Sequence, residues 1–222
     1  MEMLQKELKM NLKKHIDGLI VRYPLLEDIR EDMIRAYFVL EASYENGGKL
    51  LTAGNGGSAA DAGHIAAELM KRFHLPRPLS QEYTKKLLDA DPVRGAYLAE
   101  QLEQPLTAVA LDGQGPLATA YGNDVSWHGV FAQQLLGLGR DGDVFLAIST
   151  SGNSQNVIYA AVAAKALGMP VIALTGADGG QLASLAGTVV RAPADETDKV
   201  QELHLPIYHC WCRMLEERFF GV

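Results

Sequence analysis

Apolar positions along the chain follow two different periods. Leu4, Leu8 and Leu12 recur every four residues and are followed by Ile16, Leu19 and Ile20, which is helical spacing. Pro24 ends that run, and Leu26, Ile29, Met33, Ile34, Tyr37 and Leu40 mark a second helical stripe that stops at Gly47-Gly48. Residues 1–48 therefore predict a helical hairpin. From Lys49 the pattern changes to short, nearly continuous apolar runs: KLLTAG (49–54), LTAVAL (106–111), DVFLAIS (143–149), PVIALT (170–175) and TVVRAP (188–193). Most are followed by a Gly/Ser/Asn-rich turn and a helical pattern. Such runs predict a parallel sheet covered on both faces. Ligands in these sheets bind beyond the carboxyl ends of the strands, after Ala53, Leu111, Ser149 and Thr175.

Two segments interrupt the alternation. Residues 73–104 carry two polar helical stretches, with Asp91-Pro92 suited to cap the second, and predict a helical lobe inserted between the first two strands. Asp195–Phe220 predicts one long helix that Pro206 should disturb in its middle. No repeat, low-complexity tract or second domain stands out, so residues 1–222 are read as one α/β domain.

Composition narrows the function classes. Twenty basic and twenty-seven acidic residues leave a formal charge of -7 with no basic stripe, which argues against nucleic-acid binding. The longest uncharged stretch is broken by STSGNSQN, so no membrane span is expected. The opening MEMLQKELKMNLKK lacks the apolar core of a signal peptide, and two cysteines cannot make a disulfide framework; a cytoplasmic location is expected. Cys210 and Cys212 read as packing residues.

Two turns carry candidate chemistry. GNGGS (54–58) lets the backbone approach a ligand, and a helix N-terminus follows. Gly54-x-Gly56-x-x-Ala59 also matches the relaxed dinucleotide fingerprint, but the polar HLPRPLSQEY stands where the second strand's acidic residue should be. His64 and Glu68 share a helix face, either as a solvated pair or as metal ligands and proton carriers. STSGNS (149–154) offers hydroxyls, backbone N–H groups and a helix dipole to a phosphate. No lysine follows as in a nucleotide P-loop, so a phosphomonoester is preferred. Asn123-Asp124 follows a glycine, and the last helix bears Gln201, His204 and His209; His15, His74 and His128 have no evident partner.

Taken in order, GNGGS, HxxxE, GND, ISTSGNS and QExHxxxxH resemble the phosphoheptose isomerases of the SIS sugar-phosphate family, from Lys49 to the carboxyl end except for the lobe. The resemblance implies a three-layer α/β/α sandwich with a mostly parallel five-stranded sheet. It also implies a homotetramer with active sites between subunits, and conversion of sedoheptulose 7-phosphate to D-glycero-D-manno-heptose 7-phosphate through an enediol. By the same resemblance Asn55, Gly56, Gly57, Glu68, Asn123, Asp124 and Gln201 would contact the sugar, and Ser149, Thr150, Ser151 and Ser154 its phosphate. Glu68 and His209 would be the acid/base pair. His64, Glu68, Gln201 and His209 would bind one zinc per subunit. Gln201 and His209 are separated by about 12 Å along an ideal helix, so helices from different subunits are expected to contribute. A non-catalytic phosphosugar-binding regulator of the same fold is the alternative, disfavoured because Glu68 and His209 are both present; an isomerase of another sugar phosphate is a further one.

Overall fold

The computed structural model describes residues 8–221, so Leu4 of the first stripe lies outside the described residues. Helices α1 (Met10–Arg22) and α2 (Arg30–Glu45), joined by a 3-10 turn over Pro24–Ile29, form the leading hairpin. Leu12, Ile16, Leu19 and Ile20 from α1 and Met33, Tyr37 and Leu40 from α2 are buried as the periodicity predicts, whereas Ile34 is only half-buried and Ala36, Glu41 and Ser43, outside the predicted stripe, are buried. Then come β1 (Leu50–Ala53), α3 (Gly57–Met70), α4 (Gln81–Ala90), α5 (Pro92–Gln101) and β2 (Ala108–Ala110). The chain continues through α6 (Gly115–Tyr121), α7 (Val130–Leu138), β3 (Val144–Ile148), α8 (Gln155–Ala166), β4 (Val171–Thr175), α9 (Leu182–Leu185), β5 (Thr188–Arg191) and α10 (Thr197–Phe220).

All five strands are parallel, in the order β2-β1-β3-β4-β5. Alternate side chains enter opposite layers. Leu50, Val144, Leu146, Ile172 and Leu174 join α1, α2, α3 and α10 in one core. Leu51, Phe145, Ala147, Val171 and Ala173 join α7 and α8 in the other. This is the expected sandwich. Because β1 is flanked by β2 on one side and β3 on the other, connections leave in opposite directions at the carboxyl ends of β1 and β3, the usual place for a crevice in such sheets.

The inserted lobe forms as predicted. Asp91 Oδ1 caps α5 by accepting from the backbone N–H groups of Val93 (3.0 Å) and Arg94 (2.8 Å). In α4 and α5 only Gly95 is buried, where the Leu87 carbonyl comes too close for any Cβ. The one long helix is present, and Pro206, expected to disturb its middle, does not interrupt it: α10 is helical throughout. A proline costs a helix about 3 kcal/mol, and here the helix is held on both sides of it. His204 Nε2 bonds to the Thr175 carbonyl (3.1 Å), and Trp211 Nε1 donates to the Met33 carbonyl (3.0 Å).

Candidate active site

The turn after β1 and the turn after β3 meet at the switch point. Gly56 has φ +56°, a conformation that favours glycine, and starts α3 without a side-chain cap. Asn55 and Asn156 exchange amide hydrogen bonds, Asn55 Nδ2 donating at 2.9 Å and Asn156 Nδ2 at 2.8 Å. This pair joins the GNGG turn to the first turn of α8. Gln201 completes that corner from α10: a Cβ on Gly57 would sit 2.6 Å from its Nε2. Asn156 belongs to the same polar run as STSGNS, but sequence reasoning did not single it out.

Ser149–Ser154 wraps the start of α8. Ser149 is buried and its Oγ donates to Ser154 Oγ at 3.1 Å. Ser154 is the N-cap residue of α8 yet makes no side-chain cap bond, so its hydroxyl is not committed to the N–H groups of the first turn. Gly152 has φ +63° and lies so close to the Gly179 carbonyl that a Cβ would collide with it. Asn153 Oδ1 accepts from Gln181 N (3.1 Å), and its Nδ2 donates to the Ser151 carbonyl (2.9 Å). The segment after β4 thus supports the loop from behind, a role the sequence pointed to only as a place to look.

The acid/base candidates converge further along the same helix pair. His64 Nε2 stands 3.3 Å from Glu68 Oε1 and 3.5 Å from His209 Nε2. Lys71 Nζ holds the other carboxylate oxygen of Glu68 at 2.9 Å. Burial holds His209 below the ordinary imidazole value, the nearby His64 adding to this and Glu68 opposing it. The contacts Gln201–Gly57, Tyr208–Asp61 and His209–His64 advance together along α10 and α3, so the two helices run side by side in the same direction. One chain therefore brings His64, Glu68 and His209 together, whereas Gln201 stays at the glycine-turn end, about 12 Å along the helix from His209.

Asn123 and Asp124 lie exposed on a π-helical turn (Gly122–Ser126), Asn123 Nδ2 donating to Asp124 Oδ1 at 2.9 Å. Among the described residues no hydrogen bond joins them to either loop. Three partners escaped the sequence reading because their contacts are tertiary. Tyr208 bridges Asp61 and His64. Arg77 and Glu216 form a fully buried ion pair (Nη2–Oε1 2.9 Å). Glu216 also accepts from the backbone N–H groups of Phe73, His74 and Leu75, while Arg77 donates to the Leu69 and Glu68 carbonyls. The pair ties the carboxyl end of α3 to α10 just beyond the convergence of Glu68 and His209. Cys210 and Cys212 are buried packing residues, and burial pushes the Cys210 thiol up to about 12.

The donor set suits a zinc ion in part. Two donors on a tetrahedral zinc with bonds of about 2.0–2.1 Å stand roughly 3.3–3.4 Å apart, close to the two spacings around His64 Nε2. Among the described residues, though, no three His, Cys, Asp or Glu side chains close into a metal cage on their own.

Comparison with known proteins agrees with this architecture. The SIS domain family model matches residues 93–176. A phosphoheptose isomerase from Shewanella loihica is 40% identical over 197 residues, 87% of each chain. The solved phosphoheptose isomerase of Neisseria gonorrhoeae is 34% identical with a TM-score of 0.68, covering 94% of this chain and 92% of that one. That of Francisella tularensis is 29% identical with a TM-score of 0.73, covering 93% and 97%.

Proposed function

The chain belongs to the phosphoheptose isomerase family of SIS-domain proteins, and from that premise we propose that its switch-point site interconverts sedoheptulose 7-phosphate and D-glycero-D-manno-heptose 7-phosphate. One observation carries the reading. Glu68 and His209, far apart in sequence, meet around His64 on the helix that starts at the GNGG turn, and that turn is bonded to the helix that starts at STSGNS. A sugar whose phosphate rests on Ser149, Thr150, Ser151 and Ser154 can thus lie along α3 with its carbonyl end toward Glu68. Phosphate binding energy then orients the reacting carbons.

The isomerisation moves one carbon-bound proton. Glu68 removes it from C1 of the ketose, giving an enediol, and returns it to C2. His209 passes the hydroxyl proton between O1 and O2. No atom is gained or lost. We place Asn55, Gly57 and Gln201 against the sugar hydroxyls at the glycine turn, with Asn123 and Asp124 as further sugar contacts. His64, Glu68, Gln201 and His209 remain the residues that would hold one zinc ion; among the described residues the first, second and fourth do not close into a cage without a further ligand. Zinc would supply stabilisation of negative charge on the enediolate oxygens. The homotetramer with sites between subunits and the cytoplasmic location belong to the same proposal and rest on family membership. Among the described residues no helix is long and apolar enough to cross a membrane.

The test is incubation with a panel of ketose phosphates and the matching unphosphorylated ketoses, following aldose formation with and without chelator. Turnover of sedoheptulose 7-phosphate but not of free sedoheptulose is expected, with loss on chelation. Turnover indifferent to the phosphate, or none with any ketose phosphate, would refute the proposal.

A further inference from the structure

Tyr208 is buried beneath His64, its hydroxyl 3.0 Å from His64 Nδ1 and donating to Asp61 Oδ1 at 3.2 Å. The phenol hydroxyl carries a single proton. That proton has two acceptors in reach, a carboxylate oxygen and an imidazole nitrogen. The carboxylate is the stronger acceptor, since bonds to a charged partner are roughly twice as strong as neutral ones. Asp61 Oδ2 is buried without a partner, so among the described residues Tyr208 is the contact that anchors this carboxylate. With its proton given to Asp61, the phenol oxygen can act toward His64 only as an acceptor. That requires a hydrogen on Nδ1, and a neutral imidazole so bonded leaves Nε2 bare. Nε2 is the atom that faces Glu68 and His209.

We propose that Tyr208, held by Asp61, is a positioning residue that fixes His64 as its Nδ1-protonated tautomer and presents Nε2 as an acceptor to the reaction centre. The His64 side chain is 41% exposed, so burial alone does not lock this ring. Its ring-edge contacts are with Tyr208 and His209. The functional part of the inference rests on the isomerase reading, while the tautomer is measured without substrate.

The experiment is long-range proton–nitrogen NMR of protein labelled with 15N-histidine, before and after chelator, at about pH 8.5, well above the ordinary imidazole value. Wild type is expected to show His64 protonated at Nδ1. Tyr208→Phe removes the acceptor and should give mixed tautomers. Asp61→Ala frees the phenol proton for Nδ1 and should invert the tautomer to Nε2–H in the chelated protein. The two variants change different atoms and predict different spectra, so misfolding of one, checked by circular dichroism, leaves the other decisive. Wild-type His64 protonated at Nε2, or one unchanged tautomer in all three proteins, would overturn the inference. In turnover, both variants should lose about 10–100-fold in kcat, the usual cost of an outer-shell partner, with KM unchanged because the phosphate loop is untouched. A raised KM with wild-type kcat would overturn the positioning role. Failure of wild type to isomerise any sugar phosphate would instead sink the isomerase reading and leave the spectra to decide the tautomer.

Discussion

Replacing Arg77 with methionine removes what is, among the described residues, the only side-chain cation bonded to a carboxylate that is itself 1% exposed. The substitution keeps much of the side-chain volume, so its effect is chiefly electrostatic. It leaves the Glu216 charge buried with three backbone donors, at 2.7, 2.7 and 3.0 Å, and strips the Leu69 carbonyl of a 2.7 Å bond. Breaking one partner of a buried pair costs about 3–5 kcal/mol. In a chain of this size each kcal/mol shifts Tm by about 2–4 °C, so a fall of roughly 10 °C is expected. Thermal unfolding followed by circular dichroism reads the fall in Tm directly, and equilibrium urea unfolding reads the free energy. Arg94→Met is the control: it breaks the Arg94–Asp91 pair, shorter still at 2.7 Å but with an arginine side chain 83% exposed, and should leave stability essentially unchanged. Acidity adds a second signature. Burial by itself would raise Glu216, but the backbone donors and Arg77 outweigh it and hold the carboxyl below its ordinary value. Its stabilisation is therefore complete above the ordinary glutamate range and is lost as pH falls through the lowered folded value. Arg77→Met should move that loss to higher pH. Equal costs for Arg77→Met and Arg94→Met would refute the reasoning.

Three further outcomes follow from the geometry. Burial lowers His204 to about 4, so the folded chain binds fewer protons than the unfolded one between there and 6.5; stability should fall by roughly 2–3 kcal/mol as pH drops through that window. His204→Gln, whose amide can still reach the Thr175 carbonyl but does not titrate, should flatten that part of the pH–stability curve. Gly152→Ala forces a side chain onto φ +63° and into the Gly179 carbonyl, and should raise KM for the phosphorylated sugar at least about tenfold, a 1.4 kcal/mol loss. Gly57→Ala displaces only the flexible amide of Gln201, so urea unfolding should change by less than about 1 kcal/mol while kcat/KM falls.

The strands, the two turns and the inserted lobe were legible because their signals are local: apolar runs, glycines with left-handed backbone, and capping residues. His64 with Glu68 was legible as a helix face. Spacing along α10 could say how far Gln201 lies from His209, but not that α3 runs beside it in the same direction. That one fact brings His209 to His64 and leaves Gln201 at Gly57. Pro206 was misjudged because tertiary bonds on either side of it hold the helix. Tyr208, Asn156 and the Arg77–Glu216 pair carry no local pattern; each acquires its role from a partner on another element.

Steady-state conversion of sedoheptulose 7-phosphate by Glu68→Gln and His209→Ala, set beside the exposed His128→Ala, probes the core of the account. Loss of about 10²–10⁴-fold in kcat is expected for the first two, the usual share of a general acid or base, with His128→Ala unchanged. Wild-type turnover in both Glu68→Gln and His209→Ala would contradict it.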